Sequence, residues 1–165
     1  MQNTTIHIKR ELQLTADGSH TLFIPEMDEH YHSVNGAVQE SRHVFIEAGL
    51  HHLERREITI LEIGFGTGLN AFLTLLDAEA CQRKIHYCSI ELYPLGTDVI
   101  ESLNYGEMLC AGRKDVFHAL HQAEWNVAVQ VTEFFELHKI QGDSNTCALP
   151  DRIDLIYFDA FAPDK

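Results

Sequence analysis

Apolar and polar positions change their period several times along this chain, and each change marks an element. Ile6, Ile8, Leu12 and Leu14 share one parity and His7, Lys9, Glu11 and Gln13 the other, which predicts a half-buried strand with the leucines inward. A turn at residues 16–19 contains Asp17-Gly18, and Thr21-Leu22-Phe23-Ile24 then returns as a second strand, making a β-hairpin. Residues 26–36 are polar and aromatic and predict a surface loop, or a lip over a site. Residues 37–55 turn helical: Val44, Phe45, Ala48 and His52, with Ile46, Leu50 and Leu53 beside them, form an apolar stripe. Ser41, Arg42, Glu47, Glu54 and Arg55 lie mostly on the opposite side.

Beyond residue 57 the pattern becomes that of alternating strands and helices. Residues 58–63 are a strand-length apolar run, Gly64, Gly66 and Gly68 follow at alternate positions, and residues 69–78 continue as a buried helix. Residues 85–90 predict a second parallel strand, Pro94 opens a helical stretch, and Val116, Leu120 and Ala123 mark one side of a further helix. Val127, Val129 and Val131 alternate ahead of a third strand at residues 134–140, reached through a small hairpin. A fourth strand, nearly all apolar as befits one covered on both faces, runs over residues 153–158. The alternation implies a doubly wound α/β fold of Rossmann type, with strand order 3-2-1-4 and a fifth strand beyond the fourth.

In such sheets ligands gather at the carboxyl ends of the strands, so the polar residues there are the candidates. Glycines 64, 66 and 68 form a turn between strand and helix that brings backbone close to a ligand. The G-x-G-x-G spacing misses the dinucleotide fingerprint G-x-G-x-x-G by one place. Glu62, two residues before the first glycine, is placed to meet a cation or a ribose hydroxyl. Glu91 ends the second strand 23 residues after Gly68, where a carboxylate accepts from two ribose hydroxyls. Asp143 follows the third strand in a Gly-Asp turn, either as an acceptor for an adenine amino group or as a turn residue alone. Asp159 follows the fourth strand, opposite the glycines, where it can hold an amine or simply cap the strand. His30 and His32, with Glu26 or Glu29, are weighed as metal ligands and set aside for want of a second cluster; His118 and His121 lack an acidic partner at matching spacing.

Composition narrows the classes. The chain of 165 residues, 45% hydrophobic and 22% charged, suits one domain with a real core. A net charge of −13 disfavours an extended basic face for nucleic-acid backbone, though not a local patch. Cys81, Cys88, Cys110 and Cys147 show no C-x-x-C pair and read as reduced thiols of a cytoplasmic protein. No stretch reads as a signal core or a bilayer span.

The run E-x-G-x-G-x-G at residues 62–68 resembles the first motif of S-adenosylmethionine (SAM)-dependent methyltransferases. Three further segments make the resemblance narrower: Asp28-Glu29-His30-Tyr31-His32-Ser33 with Gly36-Ala37, Glu40-Ser41 and Val44-Phe45-Ile46; Leu61 to Asn70; and Phe158-Asp159-Ala160-Phe161-Ala162-Pro163-Asp164-Lys165. Together, over residues 10–165, they are similar to the methyltransferase domain of the MnmC-type family of tRNA wobble-uridine modification. The resemblance implies a Rossmann-like SAM-dependent methyltransferase sheet behind a leader hairpin and loop at residues 1–36, with residues 37–165 a partial domain truncated after strand four. It implies SAM as cofactor and tRNA as partner, with methylation of the aminomethyl group of 5-aminomethyl-2-thiouridine. Small-molecule N-methylation and an inactive SAM-binding fragment are the alternatives. Family SAM contacts map onto Glu62, Gly64, Gly66, Gly68, Glu91, Asp143 and Asp159, and Tyr31 falls near the cofactor or the target base. Where the family commonly has Gly after the strand-four Asp, this chain has Ala160. With no fifth strand, strand four is expected to be an open edge through which two copies pair.

Overall fold

A computed structural model describes residues 8–161. Ile6 and His7 of the leader pattern and the last four residues of the Phe158–Lys165 segment lie outside that range. Two sheets are present. The smaller is antiparallel, in the order β1 (Glu11–Leu14), β2 (His20–Ile24), β3 (Glu29–His30). The larger has five strands in the order β6-β7-β5-β4-β8: β6 (Ala128–Thr132), β7 (Phe135–Gln141), β5 (Lys84–Glu91), β4 (Glu57–Ile63) and β8 (Leu155–Phe158). All neighbours are parallel except β6, which forms an antiparallel hairpin with β7. This is the Rossmann-like methyltransferase sheet, in the strand order 3-2-1-4 expected for it.

One face of the large sheet carries the main core. Ile58 and Ile60 of β4, Ile85 and Tyr87 of β5, Phe135 and Leu137 of β7, and Tyr157 of β8 pack against helices α2 (Leu69–Cys81) and α5 (Lys114–Gln122). α2 is buried on nearly every side through its first two turns, so its apolar residues run without a polar stripe. The short helices α3 (Thr97–Ser102) and α4 (Tyr105–Leu109) lead into α5, whose Val116, Phe117 and Leu120 face inward. The opposite face holds a small cluster, Leu61, Cys88 and Ile90, under Cys147 and Ile153 of the β7–β8 connection.

Two sequence expectations are corrected. Leu12 and Leu14 are 42% and 69% exposed: Leu12 shares a face with its cross-strand partner, the buried Leu22, but on this outer strand the core does not reach the leucines of β1. Its partner β2 supplies the buried residues, Thr21, Leu22 and Ile24. The helix expected over 37–55 is broken: α1 (Ala37–Ser41) passes into a π-helical turn at Arg42–Glu47, closed by the Ala48 N–H on the His43 carbonyl, and a 3-10 turn follows at Leu50–His52. An i→i+5 bond inserts one residue per turn and rotates the face. The buried set is therefore Ala37, Val38, Ser41, Ile46 and Leu50, while Val44 stands 47% exposed.

Candidate functional site

The glycine loop leaves β4 at its carboxyl end and enters α2 at Gly68. Gly64 takes φ +93°, and a Cβ there would meet the Asp159 carbonyl oxygen at 2.9 Å, so only glycine lets the ends of β4 and β8 close together. Gly68 takes φ +73° as the N-cap of α2. Thr67 is pinned from two sides. His32 of the leader loop meets its hydroxyl through Nε2 at 2.9 Å, and His121 of α5 donates from Nε2 to its carbonyl at 3.0 Å. Burial pushes both imidazoles down to about 4, so both are neutral braces at ordinary pH. Below the loop, buried Lys139 donates to the His121 carbonyl at 2.6 Å. Its ammonium lies 4.6 Å from the Trp125 ring centroid and 5.4 Å from that of Phe65, a loop residue. Desolvation lowers that ammonium to about 8.

Above the loop opens a cavity of about 600 Å³, within the range of small-molecule sites. Tyr31, Gly64, Gly66, Glu91, Asp143 and Asp159 all line it. Glu91 is held in place by two backbone donors, the Gly66 N–H on Oε2 at 2.9 Å and the Tyr93 N–H on Oε1 at 2.8 Å. Asp143 accepts from the Asn145 N–H at 2.8 Å and the Asn145 side-chain amide at 2.9 Å, the contacts of an Asx-turn residue. Arg10 reaches across from the leader and donates through Nε to the Tyr31 hydroxyl at 2.9 Å. Desolvation raises the Tyr31 phenol despite that contact.

Glu62 and Gly68 do not line this cavity. Glu62 is fully buried beneath it, accepting from Ser89 Oγ at 2.7 Å and from Asn70 Nδ2 at 3.2 Å, and burial raises its carboxyl to about 8. Gly68 faces His121, whose Nε2 would lie 2.8 Å from an added Cβ. Both support the loop from below. Asp159 takes a 2.8 Å hydrogen bond from Asn70 Nδ2, and burial, with Glu40 adding a like charge, lifts it to about 7.

A second cavity, about 550 Å³, adjoins the first at Tyr31, His32 and Asp159. Its walls combine the acids Asp28, Glu29 and Glu40 with the apolar Val34, Val44, Phe45 and Phe158. Asp159 thus stands between a cavity built on the glycine loop and one that is acidic and partly apolar. Among the described residues no cluster of three His, Cys, Asp or Glu has metal-binding geometry. His30 instead pairs with Gln13 at 2.9 Å and stacks on Phe23. No helix among them is long and apolar enough to cross a membrane.

Arg10 was not singled out from the sequence; Glu40 and Asn70 entered only within the segments that carry the resemblance, and the two histidine braces were weighed only as metal ligands. Asn70 also stands out as a polar residue in the first turn of a helix otherwise apolar there.

The comparisons with known proteins converge on one group. No protein-family model matches the chain. It is 29% identical over 157 residues to the tRNA 5-methylaminomethyl-2-thiouridine biosynthesis bifunctional protein MnmC of Marinomonas sp., covering 85% of this chain and 23% of that protein. The protein of the same name from Burkholderia multivorans is 30% identical over 165 residues, covering 88% and 24%. The crystal structure of MNMC2 from Aquifex aeolicus superposes with a TM-score of 0.77 at 26% identity, over 98% of this chain and 52% of that one. The chain spans about a quarter of the length of these curated relatives. By sequence and by fold, the chain is similar to the methyltransferase-like part of the MnmC-type proteins.

Proposed function

We propose that this protein is a SAM-dependent N-methyltransferase acting on the aminomethyl group of 5-aminomethyl-2-thiouridine at the wobble position of tRNA. The observation that carries the reading is the place of Asp159, at the junction of the two cavities. The first cavity suits SAM in shape and chemistry. Glu91 offers acceptors for ribose hydroxyls, Asp143 an acceptor for the adenine amino group, and Ile63, Phe65 and Ile90 apolar surface for the ring. The backbone of Gly64 and Gly66 approaches without side chains. When bound, SAM supplies an electrophilic methyl group on a sulfonium centre.

The chain's own contribution is positioning and electrostatics. Asp159 accepts a proton from the acceptor amine and holds the nitrogen with its lone pair free. Tyr31, held by Arg10, lines both cavities. The acid-lined second cavity suits a cationic amine on a flat ring and repels phosphate, so a tRNA would insert its base while its backbone stays outside.

The test is transfer of radiolabelled methyl from SAM to tRNA lacking this modification. Label retained in tRNA, and lost with Asp159→Asn, supports the reading. The net charge of −13 favours a second reading, a small-molecule amine acceptor, which predicts methylation of free aminomethyl heterocycles and none of tRNA. Binding of S-adenosylhomocysteine (SAH) with no transfer to either would mark a binding fragment.

A further inference from the structure

Asn70, the second residue of α2, is 2% exposed and joins two acids. Its side-chain amide reaches Glu62 Oε1 at 3.2 Å and Asp159 Oδ2 at 2.8 Å. Glu62 lies wholly inside and Asp159 forms part of the cavity wall. Among the described residues no Lys, Arg or His hydrogen-bonds to either carboxyl, and the side-chain donors to the pair are all neutral: Ser89 and Asn70, with the Tyr87 phenol beside Glu62. The groups packed around them are Tyr87 from β5, Tyr157 from β8, Tyr105 from α4 and Glu40 from α1. The three phenols are all raised by burial and stay neutral, and Glu40 can only add negative charge. Two carboxylates so placed cannot both ionise cheaply at neutral pH. The Asn70 Oδ1 atom, also buried, has no hydrogen-bond partner. An amide can turn over to exchange donor for acceptor, so the same side chain serves an ionised carboxylate or a protonated one.

We propose that Asn70 is a positioning residue that couples Asp159 to Glu62, so that the pair carries one proton, lodged on the inner Glu62, and Asp159 is left ionised to receive the proton of an ammonium acceptor. The coupling stands on the unliganded geometry; the identity of the acceptor rests on the function proposed above. The step balances simply. An ammonium N–H bond breaks, its electron pair stays on nitrogen, and the proton passes to a carboxylate oxygen of Asp159. The neutral amine then forms its N–C bond as the methyl–sulfur bond breaks, with that electron pair leaving on sulfur. Glu62 exchanges no atom with the acceptor. Its held proton spares Asp159 a second buried negative charge.

The test is a carboxyl-carbon NMR titration of the unliganded chain from pH 5 to 9. Asp159→Asn should move the Glu62 transition down by about one pH unit, tenfold in proton affinity, because the neighbouring charge is gone. Asn70→Ala, which strips Asp159 of its side-chain donor, should move the Asp159 transition up by a similar amount. Asn70→Ser, retaining a hydroxyl donor, should fall between, and it serves if the alanine variant does not fold. In the methylation assay the acidic limb of the pH–rate profile should shift upward with Asn70→Ala by the same interval. A Glu62 transition unmoved by Asp159→Asn, or an Asp159 transition unmoved by both Asn70 variants, overturns the proposal. Coupled titration in a chain that methylates nothing would leave this proposal standing and sink the function.

Discussion

Glu91 illustrates how much one side chain is asked to do. Its two oxygens already accept the Gly66 and Tyr93 N–H groups, which fixes the carboxylate at the cavity wall with lone pairs to spare. Glu91→Ala should therefore weaken SAH binding by about 1–3 kcal/mol, the scale of lost charged hydrogen bonds in a sheltered site. Calorimetric titration measures this, and an unchanged affinity would remove Glu91 from the cofactor site. Gly68 presents the converse case, because its φ of +73° and the His121 ring leave no room for a side chain. Gly68→Ala should cost about 1–3 kcal/mol of stability in denaturant unfolding, through backbone strain and displacement of His121. The candidate acids were readable in the sequence because each ends a strand, and strand ends follow from hydrophobic runs. Asn70, Arg10 and His32 were not. Their contacts join residues 89, 21 and 35 positions apart, and no local period records such pairings.

At the scale of elements, the strand–glycine loop–helix segment was legible because pattern and punctuation agree: apolar run, three glycines, apolar helix. The leader strand was not. Alternation in β1 says that its faces differ, but which face is covered depends on what lies against it. Here β2 supplies Leu22 and Ile24 to the core, while Leu12, beside Leu22 on the same face, and Leu14 stay exposed on the outer strand. Leu14→Thr should accordingly change stability by less than about 0.5 kcal/mol, and Leu22→Ala should cost about 2–5 kcal/mol. Equal costs at the two positions in chemical denaturation would contradict this packing. The broken helix at 37–52 escaped for a related reason. A π turn displaces a stripe by one residue, and a period count that assumes 3.6 residues per turn then selects Val44 over Ile46.

For the whole molecule, buried ionisable groups fix how stability follows pH. Glu62 and Asp159 are raised to about 8 and 7, so between their ordinary range and those values the folded chain holds protons the unfolded chain lacks. Their contribution is present at low pH and is lost as pH rises through 7 and 8. His32 and His121, depressed to about 4, act oppositely, and their contribution is lost as pH falls from 6.5 toward 4. The two trends offset one another near pH 5–6.5, so thermal unfolding should show a plateau there and a falling melting temperature from 6.5 to 8. Monotonic stabilisation up to pH 8 would contradict the buried carboxyl pair. Among the described residues β8 is an outer strand of the sheet, with Ile156 and Phe158 57% and 68% exposed. An apolar edge without proline or lysine invites pairing. Sedimentation at micromolar concentration should show a concentration-dependent species heavier than the monomer; a sharp monomer at all concentrations would rule it out.

The link from Arg10 to Tyr31 also has a kinetic meaning. Tyr31 packs over Gly66, and Arg10, just ahead of β1, holds its hydroxyl and reaches the Tyr93 carbonyl as well. A molecule seated on the glycine loop therefore lies behind a latch belonging to the leader, while the loop itself is braced from below by His121 and Lys139. On this geometry entry and exit are expected to depend on the small sheet more than on the floor of the site. Arg10→Ala should shorten the residence time of SAH in stopped-flow release several-fold while leaving thermal stability nearly where it was, because what it loosens is a door and not a wall.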